Sequence, residues 1–175
     1  MTILGGAGKG LPMYHVGLVV PDLRAAMEQY ADTLGLTWAT PHETALKVVV
    51  DGQRRVGELS VTYSLDGPPY LELIQEHRGS VWGADGLNLT HIGFWADDLE
   101  TAKRQLEESG LLSRVYEHDE QGRLARFSFH PSGGGVWLEL VRSSFQDQLD
   151  AWFAATRAQS AVAAPDPGSA GPGLG

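Results

Sequence analysis

"YHVGLVVPDLRAAMEQY", residues 14–30, is written a second time as "THIGFWADDLETAKRQL", residues 90–106. His15 matches His91, Gly17 matches Gly93, and Asp22-Leu23 matches Asp98-Leu99. Ala26 and Gln29 then match Ala102 and Gln105, at a constant offset of 91 − 15 = 76 residues. In both copies a short branched apolar run, which reads as a strand, is followed by Asp as a helix N-cap and an amphipathic helix. Gly35 and Gly110 close the two helices. Each copy is then followed by three strand-like segments. They fall near 46–50, 55–65 and 69–75 in the first half, and near 113–118, 124–130 and 135–142 in the second.

This pattern predicts an α+β chain of two βαβββ modules, forming a cupped, mostly antiparallel sheet with helices outside. Residues 1–12 are expected to be a flexible arm, 13–80 the first module and 88–142 the second. Residues 144–158 follow as a C-terminal helix and 159–175 as a disordered tail rich in Pro, Gly, Ala and Ser.

Composition narrows the function. Formal charge is 13 − 22 = −9, which argues against nucleic acid as a partner because phosphate binding needs clustered Lys and Arg. No apolar run approaches the roughly 18 residues of a membrane helix. "MTILGGAGKG" lacks the pattern of a secretory signal, and the chain has no cysteine. A cytoplasmic location is therefore expected. The same stretch is not a phosphate-binding loop, since Gly10 follows Lys9 where Ser or Thr is required.

Strand alternation shows where the ionisable residues face. Val16, Leu18 and Val20 share one side of the first strand, leaving His15 on the other with Gly17. Ile92 and Phe94 oppose His91 and Gly93 in the same way. The last strands repeat too, as "YLELIQ" (70–75) and "WLELVR" (137–142), where Glu72 and Glu139 point away from the leucines. His15, Glu72, His91 and Glu139 thus share an inner face with Tyr70, Ile74, Trp95, Trp137 and Val141. Two carboxylates in such apolar surroundings would pay for desolvation and repel each other. A divalent cation removes both difficulties, and imidazole and carboxylate suit Mn, Fe, Co, Ni or Zn. The four are the candidate metal ligands. Trp95 and Trp137 are either substrate walls or core. His42, His77 and His118 read as surface residues, and His130 as part of a turn.

The paired modules and these four residues resemble the vicinal oxygen chelate superfamily over residues 13–142. That group holds glyoxalase I, methylmalonyl-CoA epimerase, extradiol dioxygenases and fosfomycin- and bleomycin-resistance proteins. "HVGLVVPDL", "HIGFWADDL" and "FHPSGGGVWLELV" carry the resemblance. The last looks most like the epimerases, whereas the His-Glu-His-Glu set looks more like bacterial glyoxalases. Epimerases usually carry Gln where this chain has Glu72, and their further catalytic Glu lies in a Gln-Gly-Val context absent around Glu43.

The resemblance implies a metal-dependent isomerase, epimerase or lyase that moves a proton beside a carbonyl of a small-molecule substrate. Glu139 or Glu72 would serve as base. Glu43 is read either as their catalytic partner or as an exposed carboxylate. It also implies a homodimer, with the cup formed within one chain or between two. Two alternatives stay open. One is an Fe(II) dioxygenase using His15, His91 and Glu139. The other is a small-molecule binding or resistance protein. Phe145, Leu149, Trp152 and Phe153, at helical spacing, would pack on the chain itself or across a dimer.

Overall fold

The computed structural model describes residues 10–83 and 87–163. Each half begins with the expected strand and helix. β1 (Met13–Val20) leads to α1 (Leu23–Leu34), which Asp22 caps by accepting from Ala25 N at 2.9 Å. Gly35 ends the helix in the left-handed region (φ 70°) that a residue without Cβ enters freely. β2 (His42–Val50), β3 (Gln53–Tyr63) and β4 (Tyr70–Gln75) complete the first module. In the second module, β5 (His91–Ala96) and α2 (Leu99–Glu108) are followed by β6 (Val115–His118), β7 (Leu124–Pro131) and β8 (Trp137–Arg142). Asp98 caps α2 through Thr101 N at 3.0 Å.

The strand order is β1-β4-β3-β2-β6-β7-β8-β5, closed into a barrel. Only the β1–β4 and β5–β8 pairs are parallel, so the sheet is mostly antiparallel as expected. The two modules join twice, at β1–β5 and at β2–β6. This second seam turns the expected cup into a closed wall. It consists of Val48–Val50 against Val115–Glu117, and strand patterning alone does not reveal which module edges meet.

The helices cover the outside. α1 lies on Leu18, Val20, Leu71 and Leu73, and α2 on Phe94 and Leu140. These are the aliphatic faces read from alternation. The interior is a separate, largely aromatic core.

Three boundaries differ from expectation. Residues 10–12 are anchored: Trp95 N donates to Pro12 O at 2.9 Å, and Leu11 packs beside α2's cluster. Residues 1–9 of the expected arm lie outside the described residues. After a 3₁₀ turn at Ser143–Phe145, α3 runs Gln146–Ala163 instead of stopping at 158. Residues 159–163 hold no Gly or Pro to stop a helix, and Pro165 is the first that would. The rest of the expected tail, 164–175, lies outside the described residues. α3 packs on its own barrel. Leu149 and Phe153 are buried, and Trp152 Nε1 donates to Thr40 O at 2.9 Å. Among the described residues no helix is long and apolar enough to cross a membrane.

Candidate metal centre

The β1–β5 register explains the repeated His-x-Gly. His15 lies opposite Gly93, and Gly17 opposite His91. The parallel pairs extend these into two rows across four strands. One row reads Glu72, Gly17, His91, Trp137 and the other Tyr70, His15, Gly93, Glu139. Each row holds one carboxylate, one imidazole and a glycine between them, the two related by a local twofold. A Cβ on Gly17 would stand 1.9 Å from His91 Cε1, and one on Gly93 1.9 Å from His15 Cε1. Each module's glycine therefore makes room for the other module's histidine.

The four groups meet within one chain. His15 Nε2 and His91 Nε2 are 2.8 Å apart. Glu72 Oε2 lies 2.9 Å from His91 Nε2 and 3.4 Å from His15 Nε2. Glu139 Oε2 lies 3.1 Å from His15 Nε2 and 3.5 Å from His91 Nε2. Both imidazoles are fully buried, and both glutamates are 7% exposed. His15, Glu72 and His91 form the tightest trio, with Glu139 reaching both imidazoles from its own row.

Direct hydrogen bonding does not account for this convergence. His91 Nδ1 lies 2.6 Å from Leu89 O and carries a hydrogen for it, so a neutral His91 presents a lone pair at Nε2. That lone pair would face the Glu72 oxygen and His15 Nε2 together. Charge is also out of balance. Burial alone would lower the His15 pKa, but the charge of Glu72 and contacts from both glutamates push it up to about 9. Burial likewise works to raise the Glu72 carboxyl, yet the charge and hydrogen bond of His15 lead in holding it below the usual range. One imidazolium offsets one of two carboxylates; a divalent cation offsets both. Metal–ligand bonds of about 2.0–2.2 Å, set roughly 90–109° apart, put donor atoms about 2.8–3.6 Å from one another. The imidazole–imidazole and imidazole–carboxylate separations fall in that range, and His15, Glu72 and His91 form a group that could hold an ion.

The next layer includes groups that alternation missed. Tyr63 donates to Glu72 Oε1, leaving Oε2 for the imidazoles. Its inward direction was legible in the β3 series Gly57, Leu59, Val61, Tyr63. Tyr14 was not: a register irregularity between Met13 and His15 breaks strict alternation. Tyr14 is buried in the interior core beside His15, stacked on Trp95 at 3.7 Å. Burial, reinforced by the glutamate charges, pushes both phenols well above their usual pKa, so they stand as neutral donors.

Glu72 and Glu139 open onto a cavity of about 280 Å³. Its walls include Tyr14, Tyr63, Trp82, Phe127, Phe129 and Trp152. Ile74 and Val141 line it as expected, whereas Trp95 and Trp137 are core residues outside its lining. Glu43 is not brought to the site. It is exposed and shares the outer side of β2 with Ala45 and Lys47, while His42, Thr44 and Leu46 turn inward to the cavity. His42, read as surface, is exposed as expected and also stands at the cavity rim, edge-on to Trp152 at 5.8 Å. His130 is fully buried, bonded to Leu111 O at 2.7 Å and to Ser128 Oγ at 2.9 Å, away from the centre. His77 contacts Ser60 Oγ at 3.2 Å, and His118 Nδ1 lies 2.9 Å from Asp119 O.

A duplicated βαβββ barrel that gathers one His and one Glu from each half is of the vicinal oxygen chelate type. The profile of the Glyoxalase/Bleomycin resistance protein/Dioxygenase superfamily matches residues 14–129, and the chain belongs to that superfamily. Among solved structures it resembles a methylmalonyl-CoA epimerase (20% identity, TM-score 0.52), covering 77% of this chain and 98% of that one. It also resembles a Streptomyces coelicolor methylmalonyl-CoA epimerase in complex with 2-nitronate-propionyl-CoA (21% identity, TM-score 0.51; 75% and 96% covered). A Mycobacterium tuberculosis methylmalonyl-CoA epimerase matches at 25% identity and TM-score 0.49, with 74% and 86% covered. For the first two, at 20% and 21% identity, the likeness is one of fold. No curated protein sequence matches the chain.

Proposed function

We propose that the chain is a metal-dependent enzyme of the isomerase, epimerase or lyase kind, transferring a proton at a carbon next to a carbonyl of a small organic substrate. The observation that carries this reading is the convergence of two buried imidazoles and two carboxylates, the carboxylates on the wall of a largely apolar cavity. His15, His91, Glu72 and Glu139 would hold one divalent cation, which supplies Lewis acidity toward a substrate oxygen.

The chain's own groups divide the remaining work. Tyr63 pins Glu72, whereas Glu139 meets only the two imidazoles among the described residues, so Glu139 is the freer base. The aromatic wall excludes water and strengthens electrostatic interactions at the reacting carbon. The neutral hydroxyl of Tyr14 can donate a hydrogen bond where negative charge develops, while the single O–H of Tyr63 stays committed to Glu72. All four ligands come from one chain, so a homodimer would add to a centre already complete.

Incubating the protein with enolisable carbonyl compounds in D₂O tests the reading. Deuterium should enter beside the carbonyl only with a divalent ion present, and Glu139→Gln should abolish it. Exchange unaffected by Glu139→Gln would contradict the assignment. The tight trio of His15, Glu72 and His91 also has the two-His-one-carboxylate composition of ferrous oxygenases. Fe(II)-dependent oxygen consumption would favour that second reading.

A further inference from the structure

Arg126 is the only Lys or Arg among the described residues lining the cavity, and it takes no part in the centre. The buried Glu117 carboxylate grips one edge of it, with Nε donating to Oε2 at 2.6 Å and Nη2 to Oε1 at 2.5 Å. Phe145 covers its face at 5.2 Å. A guanidinium has five N–H donors in a fixed fork. This grip uses two of them, leaving the Nη1 side free with its orientation already set. A rigid fork of that kind matches a carboxylate.

We propose that the cavity takes a compact aromatic or branched-alkyl carboxylate. The apolar body lies against the aromatic wall, and the anionic end is held by the free edge of Arg126. This deepens the enzyme reading and rests on it for the chemistry at the other end of the molecule. The cavity's size, just under the roughly 300–1,000 Å³ of drug-sized sites, sets the scale of the ligand. A coenzyme A conjugate fits poorly. It carries several phosphate charges, against one already paired guanidinium in a chain of net charge −9.

Calorimetric titration with benzoate, phenylacetate and 3-phenylpropionate, each beside its amide, tests the proposal on the metal-loaded protein. The best acid should bind at least about 10-fold more tightly than its amide, as charge-assisted pairing implies. Arg126→Gln should reduce that preference to within about 2-fold. Arg126→Gln combined with Glu117→Gln repeats the test without leaving a buried carboxylate unpaired. No binding of any probe at millimolar concentration would overturn the proposal. So would equal affinity for acid and amide, or an acid preference that survives in both Arg126 variants. Metal content measured on the same samples separates the two readings. An Arg126-dependent acid preference in a protein that binds no metal would sink the enzyme reading and leave this one standing.

Discussion

Replacing Gly17 by Ala puts a methyl carbon 1.9 Å from His91 Cε1 and 2.3 Å from its Nε2. Ordinary contact begins at 3.4 Å, so the imidazole must retreat by about 3.4 − 1.9 = 1.5 Å. It has little freedom to do so, because Nδ1 is tied to Leu89 O at 2.6 Å and Phe129 packs edge-on against the ring at 5.0 Å. Metal–ligand distances tolerate about 0.2 Å, so such a retreat removes one ligand of four. Loss of outer-shell support alone costs about 10–100-fold in metal affinity, and loss of a ligand should exceed that. Overpacking should also lower stability by about 1–3 kcal/mol. Gly93→Ala should act in the same way on His15, with its Cβ 1.9 Å from Cε1. Gly134, where an added methyl would meet nothing within 4 Å, is the control whose Ala variant should behave as wild type. Metal titration and thermal unfolding read both effects. A Gly17→Ala protein that binds metal as tightly as the Gly134→Ala control would refute the interlocking of the two rows.

Other consequences concern single groups. With metal removed, His15 has a folded pKa of about 9 against 6.5 unfolded. Its contribution to stability is therefore full below pH 6.5 and lost as pH rises through about 9. Melting curves of the chelated protein should show that decline, and His15→Ala should flatten it; a rise in stability over that window would contradict the assignment. Glu43→Gln should leave metal content and deuterium exchange unchanged, since the side chain faces outward. Impaired exchange would return Glu43 to the site. His130→Ala should destabilise by about 2 kcal/mol, by stranding Ser128 and the Leu111 carbonyl, while metal content by mass spectrometry stays at the wild-type level.

The duplicated His-x-Gly and Leu-Glu-Leu segments gave both the fold class and the four converging side chains, because alternation holds along each of them, in β1 from His15 onward. The caps at Asp22 and Asp98 were equally legible, being local chemistry. Where sequence reading failed, the determinant was irregular or long-range. The β1 irregularity brought Tyr14 into the interior against its parity. The start of β2 decided that His42 and Thr44, not Glu43, face the cavity. Trp82 arrives from a loop between the modules, and Arg126 is positioned by Glu117 on a neighbouring strand. Neither has a periodic signal. Closure along Val48–Val50 and Val115–Glu117 joins segments more than sixty residues apart, which no local pattern specifies. The resemblance placed a carboxylate near Glu43 by analogy, and the pleat turned that carboxylate outward.

The central claim is that one chain holds one divalent ion between two imidazoles and two carboxylates. Metal analysis of the purified protein beside His91→Ala tests it most directly. The account predicts close to one ion per chain in the wild type and its loss in the variant. A wild-type protein without metal, which Mn, Fe, Co, Ni and Zn all fail to stabilise against heat, would contradict it.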